Sequence, residues 1–157
     1  MTLDITAPAV VIHLVRPGRA GPEFLLLRRA DTLKGIWMSA AGRVERGEKA
    51  WQAAMREAEE ETGLVPHTLY SVDTNEFFYN IPRDRVVVLP IFLGFVDADA
   101  SVTLNEEHDD FGWFAVDAAL EKIEFGGQRR IIRYIRDEYL DRTPSAHLRV
   151  AISRSSG

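Results

Sequence analysis

The chain has 157 residues, 19 basic and 24 acidic, with a formal net charge of −5. Hydrophobic residues make up 46 % and charged residues 27 %, which fits one globular domain and excludes global disorder and low-complexity architectures. There is no cysteine, so disulfides, zinc–thiolate sites, iron–sulfur clusters and cysteine nucleophiles are excluded.

Residues 9–15, Ala-Val-Val-Ile-His-Leu-Val, are apolar and β-branched, and predict a buried strand. Residues 16–22 are dense in Gly and Pro and read as a loop. Residues 23–29 form the second arm of a hairpin, and 36–41 a short apolar stretch leading into Gly42. Residues 49–62 are rich in Ala, Glu, Gln, Met and Arg, predicting a helix that Gly63 stops. Two strands follow, 69–80 and 85–96, joined around Ile81-Pro-Arg-Asp84. Residues 111–116 read as a further strand, with Asp117 capping a brief helix to Lys122. Gly126-Gly127 precede a last amphipathic helix carrying Ile131, Ile132, Ile135, Tyr139 and Leu140. The domain is expected to cover residues 1–143, with 144–157 a partly frayed tail. Strands interleaved with helices predict an α/β fold, a mixed sheet between helices.

The helix at 49–62 departs from ordinary patterning. With Glu57 at zero on a helical wheel, Glu60 falls about 60° to one side and Glu61 about 40° to the other. Three carboxylates then share one face within roughly 6 Å of rise, while Glu59 points away. Such pairs repel and lie at the helix end that disfavours anions. A divalent cation with a preference for oxygen ligands offsets both penalties; the plain alternative is a solvated acidic face. Ala50 and Ala53 share the carboxylate face, while Trp51, Ala54, Met55 and Ala58 are expected to form a separate packing face.

Gly42-Arg-Val-Glu-Arg-Gly-Glu48, then seven residues, then Arg56-Glu57-Ala-Glu-Glu60-Glu61-Thr-Gly63-Leu64 resembles the Nudix box at every fixed position. The resemblance implies a Nudix-type α/β/α sandwich and Mg²⁺-dependent cleavage of a pyrophosphate bond, with Mn²⁺ as substitute. It implies metal binding at Glu57, Glu60, Glu61 and the Gly42 carbonyl, with Arg56 orienting a carboxylate and Glu48 secondary. Ala40-Ala41 replace the Pro-Gly common before the box. The flank Trp37-Met-Ser-Ala-Ala-Gly42, with Glu107-His108 ahead of Trp113-Phe114, is similar to the dihydroneopterin triphosphate and deoxynucleoside triphosphate pyrophosphatase branch. The implied substrate is a nucleoside or pterin triphosphate, cleaved to monophosphate and pyrophosphate. Alternatives are ADP-ribose or nucleoside diphosphate sugars, dinucleoside polyphosphates, or a non-catalytic nucleotide- or RNA-binding module.

Glu107 is the candidate further metal ligand or base, with Glu106 its possible substitute, and His108 is read as orienting a neighbour or binding substrate. One of Arg28 and Arg29 is expected to face the site, since alternation sends them to opposite faces. Phe77, Phe78 and Tyr79 are candidate stacking residues, with Phe78 and Tyr79 preferred, although alternation should bury at least one of the three. Lys34, Arg83, Arg85 and the start of the last helix at Gln128-Arg129-Arg130 are further phosphate contacts to weigh, and His13 reads as structural. The apolar runs 7–15 and 86–96 are too short to span a bilayer, and the N-terminus lacks a signal-peptide pattern. A cytoplasmic protein is expected, with a nucleotide-like small-molecule partner, no membrane, no stable nucleic-acid complex, and a homodimer allowed. Within residues 42–64, six Glu stand against four basic residues.

Overall fold

The computed structural model describes residues 1–152. Nine strands are present among the described residues: β1 (Asp4–Thr6), β2 (Ala9–Gly18), β3 (Gly21–Arg29), β4 (Trp37–Met38), β5 (Ala40–Arg43), β6 (Thr68–Asn80), β7 (Arg85–Phe95), β8 (His108–Ala115) and β9 (Arg149–Val150). The helices are α1 (Ala50–Thr62), α2 (Val116–Lys122) and α3 (Gly126–Ile135). The sheet runs β4-β3-β2-β7-β6-β9, with β5 added to β2, β8 to β3 and β1 to β7. It is mixed, because β7 pairs in parallel with both β1 and β2 while the other pairs are antiparallel.

Strand β2 is buried on both faces, which is why its sequence is a continuous apolar run rather than an alternating one. Val11 and Val15 join Phe24 and Leu26 of β3 in the layer under α2 and α3. Val10, Ile12 and Leu14 join Leu25 and Leu27 in the layer under α1. His13 is also buried; its Nδ1 lies 2.8 Å from Ser39 Oγ, and burial lowers its pKa to about 4. These features give it the structural role expected of it.

Several local expectations are corrected. The loop expected at 16–22 shrinks to a tight turn, because Gly18 pairs with Gly21 and the hairpin arms continue through Arg16 and Glu23, joined by a 2.9 Å ion pair. Strand β8 starts at His108, and α2 starts at Val116, so Asp117 lies in its first turn instead of capping it. Gly126 and Gly127 are inside α3, which ends at Ile135; Tyr139 belongs to a π-turn, Arg136–Leu140. Within the segment expected to fray, Ala146–Leu148 form a 3₁₀ turn and β9 pairs with β6. Residues 153–157 of that segment lie outside the described residues.

Beyond a bulge between Val72 and Asn75, β6 and β7 continue as a hairpin arm. Phe77, Phe78 and Tyr79 on this arm are all exposed, against the expectation that one is core. Glu76 is buried in their place, with the Gln128 amide and the Arg130 charge of α3 favouring its ionised form against burial.

Candidate active site

Helix α1 is held at both ends by its own sequence. Gln52 Oε1 accepts the Lys49 N–H at 2.9 Å. Gly63 takes the left-handed conformation, φ 74°, and donates its N–H to Glu59 O at 2.8 Å. Ala53, Ala54 and Ala58 are fully buried, and these small residues seat the helix close to β2 and β5.

The expected separation of a chemical face from a packing face is not observed. Trp51 and Met55 are only partly buried, while the buried arc runs through Ala53, Glu61, Ala54, Ala58 and Thr62. Glu61 therefore sits in the packing face, 1 % exposed, whereas Glu60 is 55 % exposed. A carboxylate pair of unequal burial replaces the uniform acidic face.

Glu61 Oε2 accepts the Ala41 N–H of β5 at 3.2 Å. Its Oε1 is buried with no hydrogen-bond partner among the described residues. Burial, then the charges of Glu107 and Glu57, push its pKa up to about 9. One ligand atom each from Glu61, Glu107 and His108 lie within 4.8 Å of one another. Glu107 precedes β8, its N–H donating to Asn105 Oδ1 at 3.1 Å and its carbonyl accepting the Ala30 N–H at 2.9 Å. Glu106 is exposed and is not in this group. The adjacent His108 is buried, which lowers its pKa; its Nδ1 has no partner among the described residues.

Arg56 organises the other carboxylates. Its Nε and Nη2 grip Glu48 at 2.8 and 3.0 Å, and Nη1 reaches Glu57 at 2.8 Å and Glu60 at 3.2 Å. Nη2 also donates to the Arg43 carbonyl at 2.8 Å. These bonds, that to Glu48 first, raise the Arg56 pKa well above the ordinary guanidinium value. The same guanidinium holds Glu48 below the usual carboxylate range. Glu57 is raised, first by burial and further by Glu60 and Glu107, with Arg56 opposing. Gly42 lies against Glu57, and a Cβ at that position would collide with the carboxyl group. The glycine is required by this close approach.

A bulge in the β3–β8 pairing falls between Arg28 and Arg29, so Arg28 pairs with Asp110 and Arg29 with His108. Arg29 is the one brought toward the carboxylates, with Nη1 3.8 Å from Glu107, and its Nε donates to Thr32 O at 3.1 Å. Arg28 is engaged elsewhere, by Asp109 at 2.7 Å and above the Trp37 ring. Lys34 is exposed, on the Asp109 side. Phe78 lies in a separate cavity with Arg83 and Arg85, and Tyr79 donates to Asp84 at 2.5 Å. Gln128 and Arg129 direct their amides to the Phe125 carbonyl, and the Arg129 guanidinium bonds the Ile123 and Glu124 carbonyls. The start of α3 is thus occupied internally. Arg43, which lines the Phe78 cavity, escaped the sequence reading. Its signal was the strand alternation that puts it on the face opposite to Gly42.

Residues 6–135 match the NUDIX domain. The chain is 38 % identical over 136 residues to the octanoyltransferase of Myxococcus xanthus, a match covering 83 % of this chain but 38 % of that protein. It is 30 % identical over 105 residues to the asymmetrical bis(5'-nucleosyl)-tetraphosphatase of Rattus norvegicus, covering 66 % of this chain and 71 % of that protein. Among solved structures, a binary complex of the C. elegans Ap4A hydrolase superposes with a TM-score of 0.74 at 22 % identity, covering 84 % of this chain and 96 % of that one. The E. coli dihydroneopterin triphosphate pyrophosphohydrolase gives 0.69 at 21 % identity, covering 84 % and 96 %. These likenesses support the Nudix α/β fold expected from the box. No helix among the described residues is long and apolar enough to cross a membrane. With the domain match spanning most of its length, the chain belongs to the Nudix domain family.

Proposed function

We propose that this chain hydrolyses a phosphoanhydride bond of a nucleotide-like substrate with the help of Mg²⁺, and that the substrate is a nucleoside or pterin triphosphate, cleaved to the monophosphate and pyrophosphate. The observation that carries this reading is Glu61: a carboxylate buried at the joint of α1 and β5, with one oxygen unpartnered and Glu107 and His108 beside it. A buried anion next to other anions is costly without a counter-charge. The donor set is oxygen-rich, which suits a hard divalent cation, and Gly42 leaves the room that Glu57 needs. Glu57, Glu60, Glu61 and the Gly42 carbonyl are the groups that would hold the ion. When bound, Mg²⁺, or Mn²⁺ in its place, supplies charge neutralisation for the phosphates and acidifies water.

The chain's own residues do the remaining work. Arg56 positions Glu57 and Glu60 while Glu48 braces it from the loop side. Glu107 is the candidate to accept the proton of the attacking water at a carboxylate oxygen. Arg29, anchored on Thr32, is the cation placed to meet a phosphate beside Glu107. A dinucleoside polyphosphate substrate is the second reading, favoured by the 30 % identity to the rat tetraphosphatase.

A product-resolved panel with Mg²⁺ separates these. It includes dihydroneopterin triphosphate, deoxynucleoside triphosphates, ADP-ribose and diadenosine polyphosphates. Pyrophosphate release from a triphosphate is expected. Cleavage confined to diadenosine polyphosphates would replace the first reading by the second, and turnover of none would remove both.

A further inference from the structure

Phe92 of β7 is buried in the layer under α1. Alternation then sends Pro90, Val88 and Val86 to the same side of the sheet. Their partners on β6 are Asn75, Phe77 and Tyr79, and Val86 also pairs with Ile5 of β1. Ile5, Val86, Val88, Phe77 and Tyr79 therefore form one apolar surface across three strands, on the α1 side of the sheet.

The helix stops short of this surface. Helix α1 packs through Ala53, Ala54 and Ala58 on β2 and β5. Ile5 is left 71 % exposed, Phe77 67 % and Tyr79 51 %, and Ile81 at the turn of the arm is 79 % exposed. At about 150–250 Å² for a whole large side chain, these four exposed fractions amount to roughly 500 Å². A contiguous apolar surface of that size marks an interface, unlike single exposed apolar residues. Residues 153–157, Ser-Arg-Ser-Ser-Gly, carry no apolar side chain that could cover it.

We propose that a second copy of this chain covers the surface, in an isologous dimer whose two β6–β7 arms stack face to face with their strands antiparallel. One self-complementary patch is enough for a two-fold pair. Two copies bury roughly 1,000 Å² through those four side chains alone. The valines and flanking backbone bring the total toward the 1,200–2,000 Å² or so of a stable specific interface. The Tyr79 hydroxyl already donates to Asp84 at 2.5 Å, so its ring can be covered without stranding a donor. Antiparallel stacking sets the tip of each arm in the step beside the α1 of the other copy. The tip carries Arg83, exposed and without an ion pair among the described residues. Helix α1 presents the exposed Glu59, so the two rims are opposite in charge. An anionic lipid surface fits this face less well, because the acidic α1 stands on the same side and would be repelled. The inference concerns assembly and does not depend on turnover.

The test is sedimentation velocity on the whole chain over about 1–100 μM, a range suited to interfaces of this size. Wild type is expected to be dimeric at the upper end. Phe77→Glu and Ile5→Glu, on different strands and both at exposed positions, should each weaken the dimer by about a hundredfold or more. Phe111→Glu, at an exposed position of β8 away from the arm, should dimerise like wild type. Circular dichroism checks that each variant is folded. A wild type that stays monomeric throughout the range would overturn the proposal. So would arm variants that dimerise like wild type, or a Phe111→Glu that loses the dimer as readily as they do. A monomeric wild type that co-sediments with phosphatidylserine vesicles would assign the face to lipid instead.

Discussion

At Gly42 the backbone of β5 comes so close to Glu57 that no side chain fits between them. Gly42→Ala should displace the carboxyl group and lower kcat/KM by about a hundredfold, the usual cost of a shift near 1 Å in a reacting constellation. Chemical denaturation should show a much smaller change in stability, and equal activity would remove Gly42 from the site. His13 gives a pH signature that is independent of catalysis. Its folded pKa of about 4 lies below the unfolded value of 6.5 because burial disfavours the charged ring. The unfolded chain therefore takes up a proton first, and stability falls as pH drops from 6.5 toward 4, by on the order of 3 kcal/mol from this group. Urea midpoints for wild type and His13→Asn at pH 7 and pH 4.5 measure it; the variant should show a shallower acid loss.

At the level of elements, α1 was legible because composition, box spacing and the Gly63 stop all agree. Its rotation was not, because the wheel was oriented by charge, and Glu61 turned out to be buried with the alanines. The choice between Glu106 and Glu107 was equally hidden, since a loop carries no periodicity and the backbone bonds of Glu107 to Ala30 and Asn105 are tertiary and local turn contacts that no spacing announces. The three aromatics at 77–79 misled because alternation assumes one covered face, and the β6–β7 arm runs beyond the core. At the other edge of the sheet, Tyr139 bridges the β6 bulge. Its hydroxyl lies 2.9 Å from the Ser71 carbonyl and 3.1 Å from Asp73 Oδ1, and accepts the Asp73 N–H at 3.0 Å. Tyr134 adds a 2.6 Å bond to the same carboxylate. Tyr139→Phe should cost about 1–2 kcal/mol by leaving these groups unpaired, read from denaturant unfolding. An unchanged midpoint would mean that the bulge is held by other contacts.

For the whole molecule, the acidic balance is partly localised: Glu57, Glu61 and Glu107 gather where α1, β5 and the loop before β8 converge. Burying that charge without a counter-charge costs stability. Glu61→Gln should therefore melt at or slightly above wild type in chelator, and lose the stabilisation that added Mg²⁺ gives wild type. A variant that melts far lower in chelator would make Glu61 a structural residue. The most direct test of the account is the rate of phosphoanhydride hydrolysis on the best substrate of the panel, measured for wild type and Glu61→Gln with and without Mg²⁺. Turnover is predicted only for wild type with Mg²⁺, with a loss of about a hundredfold or more in the variant. Wild-type turnover in chelator, or a variant as fast as wild type, would contradict it.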